Sequence, residues 1–257
     1  MKTILTSLIL LVSLNLFAQE VPEKYQKLWA ECHTTERDDA LKKLDKLIKK
    51  NPNDPWVYWM RGVQTFNGIE NGEEYFETAL KLDSTFAPAY FSLANCIDAT
   101  DEISLNKKEY LFTKAIQFCP SDEAYYYIAR GEVYLSQKKF DLALKDALNS
   151  KEINKEYQIG FNELYVQALN GLNMDKELKQ FLFETDVFYG GMAIPDFYLL
   201  ASTLYEKYNM KSRACEGYKA GLESTESYLD FFETKEEFEK MHGEKIKLFK
   251  EKLKACN

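Results

Sequence analysis

The segment from Ala124 to Lys155 reads AYYYIARGEVYLSQKKFDLALKDALNSKEINK, and it decides the fold. Each half places its large and small residues three or four positions apart, which is the spacing of one helical face. The residues on these two faces are Tyr127, Arg130, Gly131 and Tyr134, followed by Ala143, Ala147 and Ser150. The polar residues SQKK separate the halves. We therefore predict two packed helices joined by a short turn, with Gly131 and Ala143 allowing a close approach.

This segment resembles a tetratricopeptide repeat (TPR), whose pattern runs from a large residue through Leu-Gly and Tyr to Ala, Phe and Pro. It departs from that pattern at three positions. Arg130 stands where Leu is usual, Ala147 where an aromatic residue is usual, and Lys155 where Pro is usual.

Two series of small residues repeat along the chain with a common period. The first helices of the predicted pairs carry Gly62, Ala94, Gly131 and Ala201. The second helices carry Ala79, Ala115, Ser150 and Gly221. With one period skipped in each series, the mean spacing is about 35 residues, close to the TPR period of about 34. The resemblance implies an all-α, right-handed superhelical solenoid of about five to six antiparallel helix pairs with a C-terminal cap helix.

The pattern divides the chain into repeat units and a final helix. We predict units over residues 21–54, 55–86, 87–122, 123–156, 157–190 and 194–226, and a cap helix over residues 234–255. Thr234 and Glu237 form a capping-box pair at the start of that helix. The connector from Phe188 to Asp196 reads as an inter-repeat loop, with a binding loop as the alternative. The cap helix reads as a solvating end, with a partner-binding helix as the alternative.

The first residues, MKTILTSLILLVSLNLFA, have the features of a secretory signal peptide. Lys2 precedes an apolar run, and Ala18 supplies the small residue before a cut near Gln19. A retained anchor is the alternative, although the run is short for a membrane span of about 20 residues. We predict a signal peptide over residues 1–18 and a periplasmic or extracellular protein with no transmembrane segment in the mature chain.

Composition and motifs exclude several classes of function. The net charge of −8 over 257 residues disfavours a nucleic-acid partner, because phosphate binding needs a basic stripe. The sequence contains no phosphate-binding loop, dinucleotide-binding fingerprint, zinc-protease motif or nucleophile elbow. The two histidines, His33 and His242, have no metal-ligand spacing. We predict no catalytic residue, no cofactor and no metal.

The chain has five cysteines, which an exported protein would place in an oxidising compartment: Cys32, Cys96, Cys119, Cys215 and Cys256. An odd number leaves at least one of them unpaired. Cys96 and Cys215 lie among apolar helix residues, so the first interpretation of both is a buried thiol. A bond from Cys256 to Cys215, tying the cap helix down, is the alternative.

The TPR resemblance implies a concave wall built from the first helices. The residues it places near that wall are Trp56, Trp59, Phe66, Phe91, Asn95, Asp98, Tyr125, Ile128, Glu132, Tyr198 and Tyr205. Aromatic residues there are candidate anchors for a peptide, above all Trp56 and Trp59, although packing between helices is the competing interpretation. The clamp that binds acidic peptide C-termini in the family uses Lys and Asn, and Trp59 and Val63 occupy those positions here.

These patterns favour a non-enzymatic exported scaffold that binds a protein or peptide partner of the cell envelope through the concave face. One alternative is a small-molecule or glycan binder that stacks its ligand on Trp56, Trp59 and Tyr125. Another is an enzyme that uses Glu132 with Asp98 and Asn95 for acid–base chemistry.

Overall fold

The computed structural model describes residues 21–66, 72–119, 124–154, 158–188, 194–232 and 234–256. Within these ranges the chain is helical and has no β-strand, which confirms the all-α prediction. The predicted signal peptide lies outside them. The helices are α1 (Glu23–Thr34), α2 (Arg37–Lys50), α3 (Pro55–Phe66), α4 (Glu73–Leu82), α5 (Ala87–Cys96), α6 (Glu102–Phe118), α7 (Ala124–Ser136), α8 (Phe140–Ile153), α9 (Gln158–Gly171), α10 (Asp175–Glu184), α11 (Pro195–Lys207), α12 (Lys211–Ser227) and α13 (Lys235–Lys254).

The chain forms two compact bodies. Among the described residues, the N-terminal body holds α1 to α6 and the C-terminal body holds α7 to α13. Within each body, successive helices pack against one another, and short turns make each pair antiparallel. A 3₁₀ turn (Tyr228–Phe231) connects α12 to α13.

The small residues of the repeat pattern are buried where helices approach most closely. A Cβ atom built on Gly62 would lie 2.5 Å from the Phe76 ring, and one on Gly221 would lie 2.5 Å from the Phe249 ring. Close approach is therefore confirmed at Gly62 and Gly221, but Gly131 does not serve the α7–α8 contact that was predicted for it. The side chain that fills the space beside Gly131 is Leu164 of α9, which belongs to the next pair rather than to α8.

Three turns of the C-terminal body end their helices in the same way. Lys138, Asn173 and Asn209 each adopt a left-handed backbone, with φ of 57°, 56° and 62°. After each of them, the next amide N–H donates to a carbonyl five residues back, as Lys139 does to Tyr134 over 2.8 Å. This is the Schellman arrangement, and it satisfies carbonyls at the end of the helix.

Replacing Lys138 with Gly is expected to raise the free energy of unfolding by about 1 kcal/mol, because a left-handed residue with a Cβ is strained. Urea unfolding followed by circular dichroism measures the change. Lys138→Ala is the matched control, since it removes the same exposed side chain and keeps the Cβ. Equal stability of the Gly and Ala variants would contradict the prediction.

The departure of Arg130 from the TPR pattern has a structural reason. Its guanidinium donates to both carboxylate oxygens of Asp146 on α8, with Nε–Oδ2 and Nη2–Oδ1 distances of 2.8 and 2.7 Å. The Asp146 side chain is only 2% exposed. Ala147, the second departure, is fully buried beside it. An ion pair between α7 and α8 therefore occupies a place where the family pattern has apolar contact.

The cap helix α13 is fixed to the C-terminal body at both ends. At its start, the Thr234 hydroxyl accepts a hydrogen bond from the Glu237 amide over 3.2 Å, which is one half of the predicted capping box. At its end, Cys256 forms a disulfide with Cys215 of α12. The interpretation of Cys215 as a buried thiol is therefore wrong, and the alternative pairing is correct.

Three cysteines, Cys32, Cys96 and Cys119, lie outside this disulfide. Burial raises the pKa of the Cys32 thiol to about 11 and that of the Cys96 thiol to about 12. Because the thiolate is the reactive species, both thiols are poor nucleophiles at neutral pH. Cys96 at the end of α5 is a thiol as predicted, but it is half-buried and not fully buried.

Candidate binding face

Trp59 lies in the core of the N-terminal body. Its ring is fully buried and stacks on Trp29, with 4.8 Å between ring centroids. Its indole N–H donates to the Ser92 hydroxyl over 2.8 Å. Trp56 is half-buried and meets Trp59 and Phe86 edge to face. Of the two tryptophans predicted as anchors, Trp56 alone has an exposed part that a partner could contact.

Exposed polar residues occur at the end of α5, the next first helix of this body, and just beyond it. Phe91 is buried against Phe112, whereas Asn95 and Asp98 are exposed. The Asn95 amide donates to the Phe91 carbonyl over 3.1 Å, which fixes its orientation on the surface. The Phe66 side chain lies outside the described residues.

In the C-terminal body, the predicted aromatic residues are buried and the predicted acid is exposed. Tyr125, Tyr198 and Tyr205 are each less than a tenth exposed. Tyr198 stacks on Phe188, with ring centroids 4.9 Å apart. Glu132 projects from α7 into solvent. The part of this helix face that is open to a partner is therefore polar.

The connector from Phe188 to Asp196 contributes its first and last residues to this body. Phe188 is half-buried and packs edge to face on Phe197 and Tyr205. Asp196 lies in the first turn of α11 and pairs with Lys245 of the cap helix, with an Oδ1–Nζ distance of 2.6 Å. Residues 189–193 lie outside the described residues, so the choice between inter-repeat loop and binding loop stays a prediction.

The structure adds Glu163, which the sequence interpretation missed. In α9, Val166 stands 35 residues after Gly131 and so fills the skipped place in the series of small residues. Glu163 precedes it by three positions, as Ile128 precedes Gly131 and Tyr198 precedes Ala201. The period therefore contained the signal, but Val is larger than the Gly or Ala found at the other positions.

Glu163 interacts with acids on both neighbouring first helices. Burial, and then the negative charges of Glu132 on α7 and Asp196 on α11, raise the pKa of Glu163 to about 7. Gln167, one turn later, donates its amide N–H to the Glu163 carboxylate over 3.3 Å. The first helices α7, α9 and α11 thus present three carboxylates close enough to repel one another.

Stability of the protein is expected to fall between about pH 4.5 and pH 7 through Glu163. In this range the unfolded chain releases the proton while the folded chain retains it, so rising pH favours unfolding until the folded pKa is passed. Glu163→Gln is expected to remove a loss of stability of about 3 kcal/mol, because the pKa rises from 4.5 to about 7 and each pKa unit corresponds to about 1.4 kcal/mol. The check is urea unfolding of both proteins at pH 4.5 and pH 8.

Glu244→Gln serves as the matched control for that experiment, because Glu244 is exposed on α13. The stability of Glu244→Gln should depend on pH in the same way as that of the wild-type protein. If Glu163→Gln gained no stability over wild type between pH 4.5 and pH 8, Glu163 would not be the source of the effect.

Two further properties bear on function. No group of three or more His, Cys, Asp or Glu side chains suited to a metal ion occurs in the described ranges. None of the described helices combines the length and the apolar character needed to cross a membrane.

Comparison with known proteins shows the fold. No family model matches the chain, and no curated protein matches it. Among solved structures it is similar to YrrB, a TPR protein with an unusual peptide-binding site, at 19% identity and a TM-score of 0.54. That match covers 72% of this chain and 93% of YrrB.

Two larger structures are also similar. Cut9, in the APC/C hetero-tetramer Cut9–Hcn1, aligns at 13% identity and a TM-score of 0.59 over 89% of this chain and 48% of its own. Yeast Tom70 aligns at 18% identity and a TM-score of 0.53 over 80% of this chain and 42% of its own. The chain therefore spans less than half the length of these two proteins. Its all-α architecture of packed helix pairs is a TPR-like fold.

Proposed function

We propose that the protein is an exported, non-enzymatic scaffold that binds a protein or peptide partner of the cell envelope through the first helices of its pairs. The observation that carries the proposal is the pattern of exposure on these helices. Asn95 on α5 and Glu132 on α7 are exposed at positions that the TPR resemblance assigns to the concave wall, as is Asp98 just after α5, while their aromatic neighbours hold the helices together. The likeness to a peptide-binding TPR protein supports it.

The charge of this face defines the partner more closely. Glu132, Glu163 and Asp196 make the first helices of the C-terminal body acidic. A partner segment with Lys or Arg side chains would relieve the repulsion among these carboxylates. Binding through such charges would speed association at low salt and weaken as salt is added.

Charge reversal tests the face without disturbing the core. Wild type and Glu132→Lys are expressed in the source cells and cross-linked, and captured proteins are identified by mass spectrometry. The matched control is Glu152→Lys, because Glu152 is exposed on the second helix α8 of the same body. We expect a partner that wild type and Glu152→Lys capture and Glu132→Lys loses. A partner retained by Glu132→Lys, or lost equally from both variants, would contradict the proposal.

Export is a separate part of the proposal. The signal-like residues 1–18 support it, and the Cys215–Cys256 disulfide is of the kind that persists in oxidising compartments. N-terminal sequencing of protein recovered outside the cytoplasm should find a chain that begins near Gln19. Recovery of the whole chain from the cytoplasm alone would count against export.

Small-molecule or glycan binding receives less support from the geometry. It relied on Trp56, Trp59 and Tyr125 as stacking platforms, and the rings of Trp59 and Tyr125 are buried. Binding of a saccharide panel to the wild-type protein would favour that alternative.

A further inference from the structure

The cap helix α13 packs on the C-terminal body through few apolar side chains. Phe238 and Phe249 are the buried residues among the described positions of this helix. Phe249 lies over Gly221 of α12, where a Cβ would meet its ring, and its centroid is 6.4 Å from that of Tyr218. In the second half of the cap helix, Phe249 is therefore the buried apolar residue, assisted by the half-buried Ile246 and Leu253.

Two ion pairs of the last turns lie at the surface. Lys252 pairs with Glu206 over 2.6 Å, and Lys250 pairs with Glu226 over 3.1 Å. All four side chains are a third or more exposed, so water and salt weaken both pairs. Most of the stability of a helix in a protein comes from the packing of its apolar face, and that packing is sparse here.

One covalent bond holds this weakly packed end. Cys256 follows the last helical residue by two positions, and its partner Cys215 lies in the first half of α12, 41 residues earlier. Both cysteines are half-buried, not enclosed in the core. A disulfide stabilises by restricting the opened chain, and here the chain it restricts is the connection from α12 through the cap helix.

We propose that the cap helix is a redox-controlled latch, closed by the Cys215–Cys256 disulfide and opened by its reduction. A dithiol reductant breaks the S–S bond by giving up two electrons and two protons. Two protein thiols form, and the reductant becomes a disulfide. The last turns of α13 then leave α12, and the notch formed by Gly221 and Tyr218 opens to solvent. The rest of the C-terminal body keeps its packing, because its own helices do not depend on this bond.

Hydrogen exchange of the full chain tests the latch. Peptide mapping first establishes the disulfide in the oxidised protein, and exchange is then followed by mass spectrometry with and without dithiothreitol. We expect the amides of residues 246–254 to exchange at least about 100-fold faster after reduction, while those of α7 change little. Cys256→Ser should show the fast exchange without reductant and no further response to it.

Cys96→Ser is the matched control, because it removes a thiol outside the disulfide, and it should respond to reductant as wild type does. Three results would overturn the proposal. They are the absence of the disulfide in oxidised protein, unchanged exchange of residues 246–254 after reduction, and an equal increase throughout the C-terminal body.

Discussion

Replacing Asp146 with Ala is expected to lower the free energy of unfolding by about 3–5 kcal/mol, a large share of the stability of a small domain. The substitution leaves the Arg130 guanidinium between α7 and α8 without the carboxylate that accepts two of its hydrogen bonds. Only 15% of the Arg130 side chain is exposed. When Asp146 is removed, the guanidinium stays away from water, and the free-energy cost of its desolvation is no longer offset by this ion pair. Chemical unfolding monitored by circular dichroism measures the loss.

A double variant separates the loss of a partner from the value of the ion pair. Replacing both residues, as in Arg130→Leu with Asp146→Leu, removes both charges and restores the Leu that the TPR pattern has before its Gly. Such replacements are often neutral or stabilising, so this variant should recover most of the stability lost by Asp146→Ala. If Asp146→Ala cost less than about 1 kcal/mol, the pair would be no stronger than an exposed one.

Replacing Trp59 with Ala is expected to lower the free energy of unfolding by about 3–5 kcal/mol. The change removes the largest fully buried side chain of the described structure and leaves a cavity in the core. The change also removes the stacking with Trp29 and the hydrogen bond to Ser92. Trp59→Phe keeps most of the ring volume and loses the hydrogen bond, so a cost of about 1–2 kcal/mol is expected. Urea unfolding of the three proteins gives both values.

This expectation changes how the binding face should be tested. A Trp56→Ala, Trp59→Ala double variant would lose a partner by unfolding the N-terminal body, and such a loss would not identify a binding surface. Trp56→Ala alone is the informative variant, because Trp56 is half-buried at the edge of the cluster. A Trp59→Ala protein as stable as wild type would show that the cluster contributes little to the core.

The fold could be predicted from the sequence because small residues recur with the period of the helix pairs. Gly62, Gly131 and Gly221 are required by rings or branched side chains that pack directly against them, and they belong to three different pairs. The same argument did not identify Glu163. Val166 takes the place of the small residue in α9, so the register of that helix could not be recognised from the series.

The candidate site was less predictable, for two physical reasons. Helical spacing places Trp59 and Glu132 on first helices, but spacing alone does not distinguish a side chain turned into the core from one turned into solvent. The pair of Arg130 and Asp146 joins residues 16 positions apart on different helices, and this contact depends on tertiary packing. Exposure and charge pairing therefore had to come from the structure.

The left-handed turn residues make the C-terminal body modular. Lys138, Asn173 and Asn209 follow one another at intervals of 35 and 36 residues, in the same backbone conformation. The segment 139–173 begins directly after one such residue and ends at the next. The chain therefore enters and leaves this segment through turns of the same conformation. Duplicating or deleting it would change the number of helix pairs without creating a new kind of junction. The same property gives recombination a simple route to longer or shorter versions of this chain.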